Sequence, residues 1–227
     1  MRRGGVCAVI QGLIFDMDGL LIDTEKYYFR YWMESAAEFG FSMKPRHALA
    51  IRSLCAKYAE RYLKRELGAD FDYHAVRARR RERIHEAVEQ YGIQLKPGVM
   101  ELLTYCRENG IRTAVATATP TENAEVHLMH VGLRDLFSVV VGGDSIENGK
   151  PAPDIYQKAA SVLGRLPEEC MALEDSPNGI IAAFSAGCHP VMVPDLTEPD
   201  EMLKPLLYAW VKTLKDVIPL IEAERRA

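Results

Sequence analysis

The chain has 227 residues, of which 48% are hydrophobic and 26% are charged, and its formal net charge at pH 7 is -4. This length allows one large domain, or a medium-sized domain that carries a smaller one, and the hydrophobic fraction is sufficient for a packed core. A weakly acidic chain has no general basic field, so we expect no nucleic-acid partner.

The beginning of the chain is apolar and then helical. The run from Val9 to Phe15 predicts a buried strand. From Thr24 to about Gly92 the pattern is helical throughout, with one helix after Thr24 and two more predicted over residues 48–67 and 73–91. Short loops between them predict a small helical bundle. We interpret the basic run 79–83, in the last of these helices, as a solvated helix face.

From Leu95 onward, predicted helices and strands alternate. We expect helices at 97–109, 121–131, 153–163 and 177–186, and strands at 112–117, 137–141, 170–173 and 190–193. The segment after Leu206 is ambiguous and is compatible with a short strand near Trp210 and a helix at 214–221. This alternation predicts an α/β fold, a doubly wound parallel sheet with helices on both faces. The helical block is then an insertion, which gives a core domain of residues 1–23 and 95–227 and a helical domain of residues 24–94.

The cysteines and the apolar segments indicate in which cellular compartment the protein is expected. Five cysteines are scattered without a closely spaced pair, which argues against a disulfide framework or a zinc site and favours a reducing environment. Arg2 and Arg3 precede an apolar segment that is too short for a secretory signal. No apolar stretch reaches the roughly 20 residues that span a bilayer. We expect a cytoplasmic monomer without a membrane partner.

Two aspartates, Asp16 and Asp18, stand at the end of the first predicted strand and are followed by a glycine. Two carboxylates this close repel each other and lose hydration energy if the site is concave, so a divalent cation is the simplest way to neutralise them. Mg²⁺ prefers such oxygen ligands. The alternative for this segment alone is an acidic turn, because Asp and Gly both favour turns.

Other polar residues follow the remaining predicted strands. They are Thr117, Lys150, Glu174 and Asp175. In a doubly wound sheet, ligands bind beyond the carboxyl ends of the strands, so these residues are expected at the same edge as the two aspartates. Each has a simpler interpretation alone: a strand residue, a surface lysine or a helix cap. Together they predict a magnesium site beside a lysine that suits a phosphate or carboxylate oxygen.

Four short motifs occur in order along the chain: DMDGLLIDTE at 16–25, VATAT at 115–119, GKPAPDIY at 149–156 and EDSPNGI at 174–180. In this order they resemble the haloacid dehalogenase superfamily, and more narrowly the β-phosphoglucomutase-like phosphatases. The resemblance implies a Rossmann-like core with a helical cap inserted after the first strand. It also implies a Mg²⁺-dependent phosphatase that acts on a small phosphorylated metabolite such as a sugar phosphate.

The resemblance also implies roles for individual residues. Asp16 would be the nucleophile that forms an aspartyl phosphate, and Asp18 the general acid and base. Catalysis and phosphate binding would further involve Thr117, Ala118 and Lys150. The Mg²⁺ ligands would be Asp16, the backbone carbonyl of Asp18, Asp175 and, directly or through water, Glu174.

The residues that read the substrate are expected in the cap, at Arg52, Lys57, Tyr28 or Trp32. Arg52 is near the position where related mutases carry a phosphate-binding arginine, although the segment LAIRSL lacks the expected glycine. We interpret Tyr28 and Trp32 mainly as cap core.

Three alternatives to a phosphatase remain open at this point. One is a phosphomutase, although Pro120 replaces the lysine or polar residue common in such relatives. Another is a phosphonoacetaldehyde hydrolase that uses Lys44 or Lys57 as a Schiff-base amine. The third is a binding protein without catalysis. Dehalogenation is disfavoured because haloalkanoate dehalogenases lack an acid at the position of Asp18.

Overall fold

The structure is a computed structural model and describes residues 10–226 of the chain. Its strands are β1 (Gly12–Phe15), β2 (Arg112–Thr117), β3 (Val139–Gly142), β4 (Cys170–Glu174), β5 (His189–Met192) and β6 (Ala209–Trp210). They form one parallel sheet in the order β3-β2-β1-β4-β5-β6. This strand order, which reverses direction at β1, confirms the predicted doubly wound sheet.

The helices are divided between an insertion and the core. The helices α1 (Glu25–Glu38), α2 (Pro45–Ala50), α3 (Ala56–Leu67) and α4 (Tyr73–Tyr91) form what we term the helical insertion. The core helices are α5 (Val99–Glu108), α6 (Thr121–His130), α7 (Asp154–Leu163), α8 (Pro177–Ala186) and α9 (Ile218–Arg226). None of the helices in residues 10–226 combines the length and apolar character that a bilayer span requires.

The two faces of β1 explain how the sheet is covered. Leu13 and Phe15 point to one face, in a cluster with residues of α5, α6 and α9, whereas Ile14 points to the other, among residues of α7 and α8. Alternate residues of a strand point to opposite faces, so an apolar run with no alternation is what a doubly covered parallel strand requires. β1 therefore lies at the centre of the core.

The helical insertion has a hydrophobic core of its own, which includes Trp32, Ala36, Leu63 and Phe71. The two segments that connect it to the core lie side by side: the amide of Asp23 donates to the carbonyl of Gln94 at 2.8 Å, and that of Lys96 to Leu21 at 3.0 Å. The exact division at residues 24 and 94 stays a prediction.

The prediction of one helix over residues 48–67 is wrong. The helix is interrupted at residues 51–55, where Ser53 has a φ of +58°. The break is held by the core, because the side-chain amide of Asn178 donates to the carbonyl of Arg52 at 2.8 Å. The other elements predicted between residues 97 and 193 are present, with bounds that differ from the predicted ones by at most two residues. Val9, the predicted start of β1, lies outside the described residues.

Candidate active site

The acidic residues converge as the sequence predicts. Asp16 directly follows β1, Glu174 ends β4 and Thr117 ends β2, and β1 pairs with both of these strands. The amide of Asp16 donates to the carbonyl of Leu173 at 3.0 Å, which extends the ladder by one residue. The carboxyl ends of three adjacent parallel strands thus place these side chains at one edge of the sheet.

Asp16, Glu174 and Asp175 form a buried acidic cluster, in which each residue offers one carboxylate oxygen and these oxygens lie within 4.8 Å of one another. Burial raises the pKa of Asp16 to about 8 and that of Asp175 well above its usual value. Asp175 Oδ1 is buried without a hydrogen-bond partner among the described residues. Two buried cations, Lys150 and Arg52, contact these three acids, so the cluster has one more acid than it has cations. An all-oxygen donor set with a free buried oxygen fits a hard divalent cation.

Gly19 allows the loop after β1 to approach this cluster. Its φ is +87°, and a Cβ atom at this position would lie 2.3 Å from Asp175 Oδ2. A side chain is excluded on both grounds, since a positive φ is strained for other residues and the contact is too short. The glycine after Asp18 is therefore part of the construction of the site.

Lys150 is bound within the cluster. Its Nζ donates to Asp16 Oδ1 at 2.6 Å, to Glu174 Oε1 at 2.5 Å and to the carbonyl of Ala116 at 3.0 Å. Burial lowers the pKa of Lys150, but the attraction of the Asp16 and Glu174 carboxylates is stronger and raises it above its usual value. These contacts use all three N–H donors of the ammonium group. The contact of Lys150 with a phosphate stays a prediction.

Glu174 is the most completely hydrogen-bonded of the three acids. Oε1 accepts from Lys150 and from the hydroxyl of Tyr156 at 2.6 Å, and Oε2 accepts from the amides of Asp175 and Ser176 and from the Ser176 hydroxyl. The sequence analysis assigned no role to Tyr156, although it lies in the same motif as Lys150. Its hydroxyl fixes the carboxylate that in turn fixes Lys150.

Asp18 lies outside the acidic cluster and is half-buried. Its carboxylate accepts hydrogen bonds from the hydroxyls of Thr24 at 2.6 Å and Thr119 at 2.9 Å. Thr117 is buried, and its hydroxyl accepts from the amide of Thr119 at 3.1 Å. The sequence analysis missed the two threonines that hold Asp18, although both occur in its motifs. Binding of a metal by the backbone carbonyl of Asp18 stays a prediction.

Arg52 joins the helical insertion to the core. It is 4% exposed, and its guanidinium donates to Asp175, to Glu25 at 3.2 Å and to the Thr197 hydroxyl at 3.1 Å. Burial raises the pKa of Glu25 to about 7, although Arg52 opposes this effect. Sequence reasoning missed Glu25 despite its place in the first motif. The role of Arg52 as a substrate ligand stays a prediction.

A cavity of about 400 Å³ separates the sheet edge from the helical insertion. Asp16, Asp18, Thr117 and Ala118 line it from the sheet edge, and Arg52, between α2 and α3, lines it where the insertion meets the core. On the other side the insertion contributes, among others, Tyr28, Trp32, Arg77, Arg80, Arg81 and His85. The predicted residues of the sheet edge and these insertion residues therefore share one space, which can hold a small molecule.

Several predictions about the insertion need correction. Lys44 and Lys57 are exposed and are not among the residues that line the cavity, so a Schiff-base lysine is not placed there. Trp32 belongs to the core of the insertion, as predicted, but it also lines the cavity, and so does Tyr28. The basic run 79–83 is not uniformly solvated, because Arg80 is buried.

Sequence and structure comparisons find relatives over most of the chain. A model of haloacid dehalogenase-like hydrolases matches residues 10–187. The chain is 34% identical to the phosphorylated carbohydrates phosphatase of Thermotoga maritima, over 78% of this chain and 82% of the relative. It is 32% identical to hexitol phosphatase A of Escherichia coli, over 86% and 91%. The crystal structure of CbbY from Rhodobacter sphaeroides in complex with phosphate matches with a TM-score of 0.75 and 29% identity, over 92% and 96%.

Proposed function

The chain belongs to the haloacid dehalogenase-like hydrolases, and we propose that it is a Mg²⁺-dependent phosphatase that acts on a small phosphorylated metabolite through an aspartyl phosphate on Asp16. The observation that carries this proposal is the position of Asp16. Lys150 holds Oδ1 of this residue, whereas Oδ2 accepts no hydrogen bond from the described residues and the side chain lines the cavity. One carboxylate oxygen is thus fixed and the other is free to attack.

The acidic cluster would hold the metal through Asp16, Asp175 and, directly or through water, Glu174. A bound Mg²⁺ would neutralise charge on the phosphate oxygens, which otherwise repel an attacking carboxylate. Lys150 opposes the effect of burial on the pKa of Asp16, and its hydrogen bond to Oδ1 orients the carboxylate. Thr117 and Ala118 line the cavity, and we assign them the binding of phosphate oxygens.

Asp18 is suited to proton transfer. In the first step, a carboxylate oxygen of Asp16 bonds to phosphorus, the bond from phosphorus to the leaving oxygen breaks, and Asp18 gives that oxygen a proton. In the second step, Asp18 takes a proton from water, the water oxygen bonds to phosphorus, and the bond to Asp16 breaks. The hydroxyls of Thr24 and Thr119 hold the Asp18 carboxyl through both steps.

The substrate class is supported by the cavity and by the relatives. A volume of about 400 Å³ suits a sugar or polyol phosphate rather than a polymer. The names of two relatives, a phosphorylated carbohydrates phosphatase and a hexitol phosphatase, describe substrates of this kind. We extend this class to the present chain.

The test is a panel of sugar, polyol and nucleoside monophosphates with Mg²⁺, in which released inorganic phosphate is measured. We expect phosphate release from at least one sugar or polyol phosphate, and no release by the Asp16→Asn variant. Isomerisation of β-glucose 1-phosphate with a bisphosphate primer, without net release, would identify a phosphomutase instead. Absence of turnover with the whole panel would contradict an enzymatic role.

A further inference from the structure

The arginines of α4 fall into two sets with different surroundings. Arg79 Nε binds Glu38 at 2.8 Å and Arg83 Nη1 binds Glu34 at 2.7 Å, so both are paired with acids of α1. Arg77, Arg80 and Arg81 line the cavity instead, and none of these three forms an ion pair with any of residues 10–226. Helix α4 thus has arginines on one face that are paired with acids and arginines facing the cavity that are not.

Arg80 is the most unusual member of the second set. It is 8% exposed, and the guanidinium carbon lies 4.4 Å from the ring centre of Trp32 and 4.9 Å from that of Tyr28. Its Nε is buried and has no hydrogen-bond partner in the described part of the chain. Burial lowers the pKa of Arg80 to about 10. A buried charge without a hydrogen-bonded counter-charge is costly, so such a group is normally paired.

The surroundings of Arg80 resemble a binding site more than a structural contact. Two aromatic rings fix the guanidinium group by cation–π contacts, and within residues 10–226 its buried Nε has no acceptor. Arg77 is close enough to lower the pKa of Arg80 by repulsion, and it lines the same cavity. The Glu25 carboxylate also lines the cavity and raises the pKa of Arg80, but it forms its ion pair with Arg52. Two adjacent positive groups that have no ion pair within residues 10–226 are suited to an anion from outside the chain.

We propose that Arg80, assisted by Arg77, binds a second anionic group of the substrate, at the end remote from the phosphate that reacts with Asp16. This inference rests on the proposed phosphatase function and narrows its substrate class. The substrate is a sugar or polyol phosphate that carries a further phosphate or carboxylate. A planar guanidinium with several free donors binds either oxyanion through paired hydrogen bonds.

Three open-chain polyol phosphates test this proposal, because they differ in the group at the end remote from the phosphate they share. Glucitol 6-phosphate ends in a hydroxymethyl group, 6-phosphogluconate has a carboxylate there, and glucitol 1,6-bisphosphate has a second phosphate. With Mg²⁺, the wild-type protein should show a kcat/KM at least tenfold higher for one of the two compounds with an anionic group at both ends than for glucitol 6-phosphate. The compound that is preferred identifies the anion as phosphate or carboxylate.

The variant Arg80→Gln should reduce this preference by about 10- to 100-fold, the range expected for a charged hydrogen-bonded contact. Arg80→Lys, which keeps the charge, should restore part of it, and Arg77→Gln should reduce it less. Arg79→Gln is the matched control, because this arginine is on the same helix but binds Glu38 outside the cavity. It should leave the preference unchanged. An equal loss on all three compounds in Arg80→Gln and Arg77→Gln would show a purely structural role and overturn the proposal.

Binding measurements separate the failure of this inference from the failure of the proposed function. In the Asp16→Asn background, dissociation constants for the three compounds are measured by calorimetry, with and without Arg80→Gln. Selective binding that depends on Arg80 supports the anion site even if no compound is hydrolysed by the wild-type protein. Hydrolysis and binding that are equal for all three compounds would overturn the anion site and leave the phosphatase function in place.

Discussion

Replacing Lys150 by methionine tests the charge balance of the acidic cluster. Methionine has a similar length but no charge, so the change removes one ion pair with Asp16, one with Glu174 and the hydrogen bond to the carbonyl of Ala116. All of these groups are buried. Removal of one partner from a buried ion pair typically costs about 3–5 kcal/mol, because the remaining charges lose their counter-ion. We expect a loss of this size in the free energy of unfolding.

The assay is urea-induced unfolding in the presence of EDTA, with extrapolation to zero denaturant. The matched control is Lys158→Met, because this lysine is exposed and donates one hydrogen bond, to the carbonyl of Ser145 at 2.6 Å. A surface substitution of this kind changes stability by only about 0.5 kcal/mol or less. A cost below about 1 kcal/mol for Lys150→Met would refute the view that this lysine balances the cluster.

The same unfolding experiment is repeated with Mg²⁺ in place of EDTA. A ligand that binds only the folded state stabilises it according to its concentration and affinity. Because Lys150→Met leaves the three carboxylates with one positive group less, a cation should be attracted more strongly to the variant than to the wild-type protein. We expect Mg²⁺ to increase the free energy of unfolding more in the variant. Absence of stabilisation in both proteins would contradict a metal site at Asp16, Glu174 and Asp175, and equal stabilisation would contradict the expected effect of the Lys150 charge.

Three further changes test other parts of the site. Asp16→Asn should abolish phosphate release while the thermal unfolding curve stays cooperative, and EDTA should stop the wild-type reaction until Mg²⁺ is added; activity in either case would contradict the mechanism. Gly179→Ala should lower kcat at least tenfold and stability by about 1–3 kcal/mol, because a Cβ atom there would lie 1.9 Å from the Glu174 carboxyl carbon. The Glu25 pKa of about 7 means that the folded state holds a proton between about pH 4.5 and 7 that the unfolded state releases. This group therefore makes stability fall as pH rises through that range, and Glu25→Gln should flatten the measured slope; an unchanged slope would show that the pKa of Glu25 is not raised.

The core and its acidic edge were predictable because they depend on local sequence and chain order. Alternating strands and helices place the carboxyl ends of β1, β2 and β4 together, whatever the details of packing. Asp16, Glu174 and Asp175 directly follow or end their strands, so their convergence needs no knowledge of distant contacts. Even the position of Thr117 follows from its place at the end of β2.

The break between α2 and α3 was not predictable by the same reasoning. Residues 48–67 have the composition of one helix, and what interrupts them is a hydrogen bond from Asn178, 126 residues away from Arg52 in the sequence. The ion pair of Arg52 with Asp175 spans 123 residues. Helical propensity is a weak preference that tertiary contacts readily override. A break that is held by a contact with a core helix distant in the sequence leaves no local signal.

The sorting of the α4 arginines depends on the rotation of one helix against another. Charge alone predicted a solvated face for residues 79–83. This is correct for Arg81 and Glu82, which are exposed, whereas Arg79 and Arg83 are half-buried and meet acids of α1. Arg80 contacts Trp32 instead, because adjacent residues of a helix point about 100° apart around its axis and Arg80 directly follows Arg79. No single-helix pattern distinguishes a solvated arginine from one that rests on an aromatic ring.

The charges on the two sides of the cavity are therefore complementary to one kind of molecule. The sheet edge carries an excess of buried carboxylates, which favours a cation and, through it, a phosphate. On the insertion, the buried Arg80 and the half-buried Arg77 have no ion pair within the described residues, which favours an anion directly. A neutral sugar that carries a single phosphate satisfies only the first of these requirements. A metabolite with a phosphate at one end and an anion at the other satisfies both, and it would also bring Arg80 of the insertion and Asp16 of the core into contact with the same ligand.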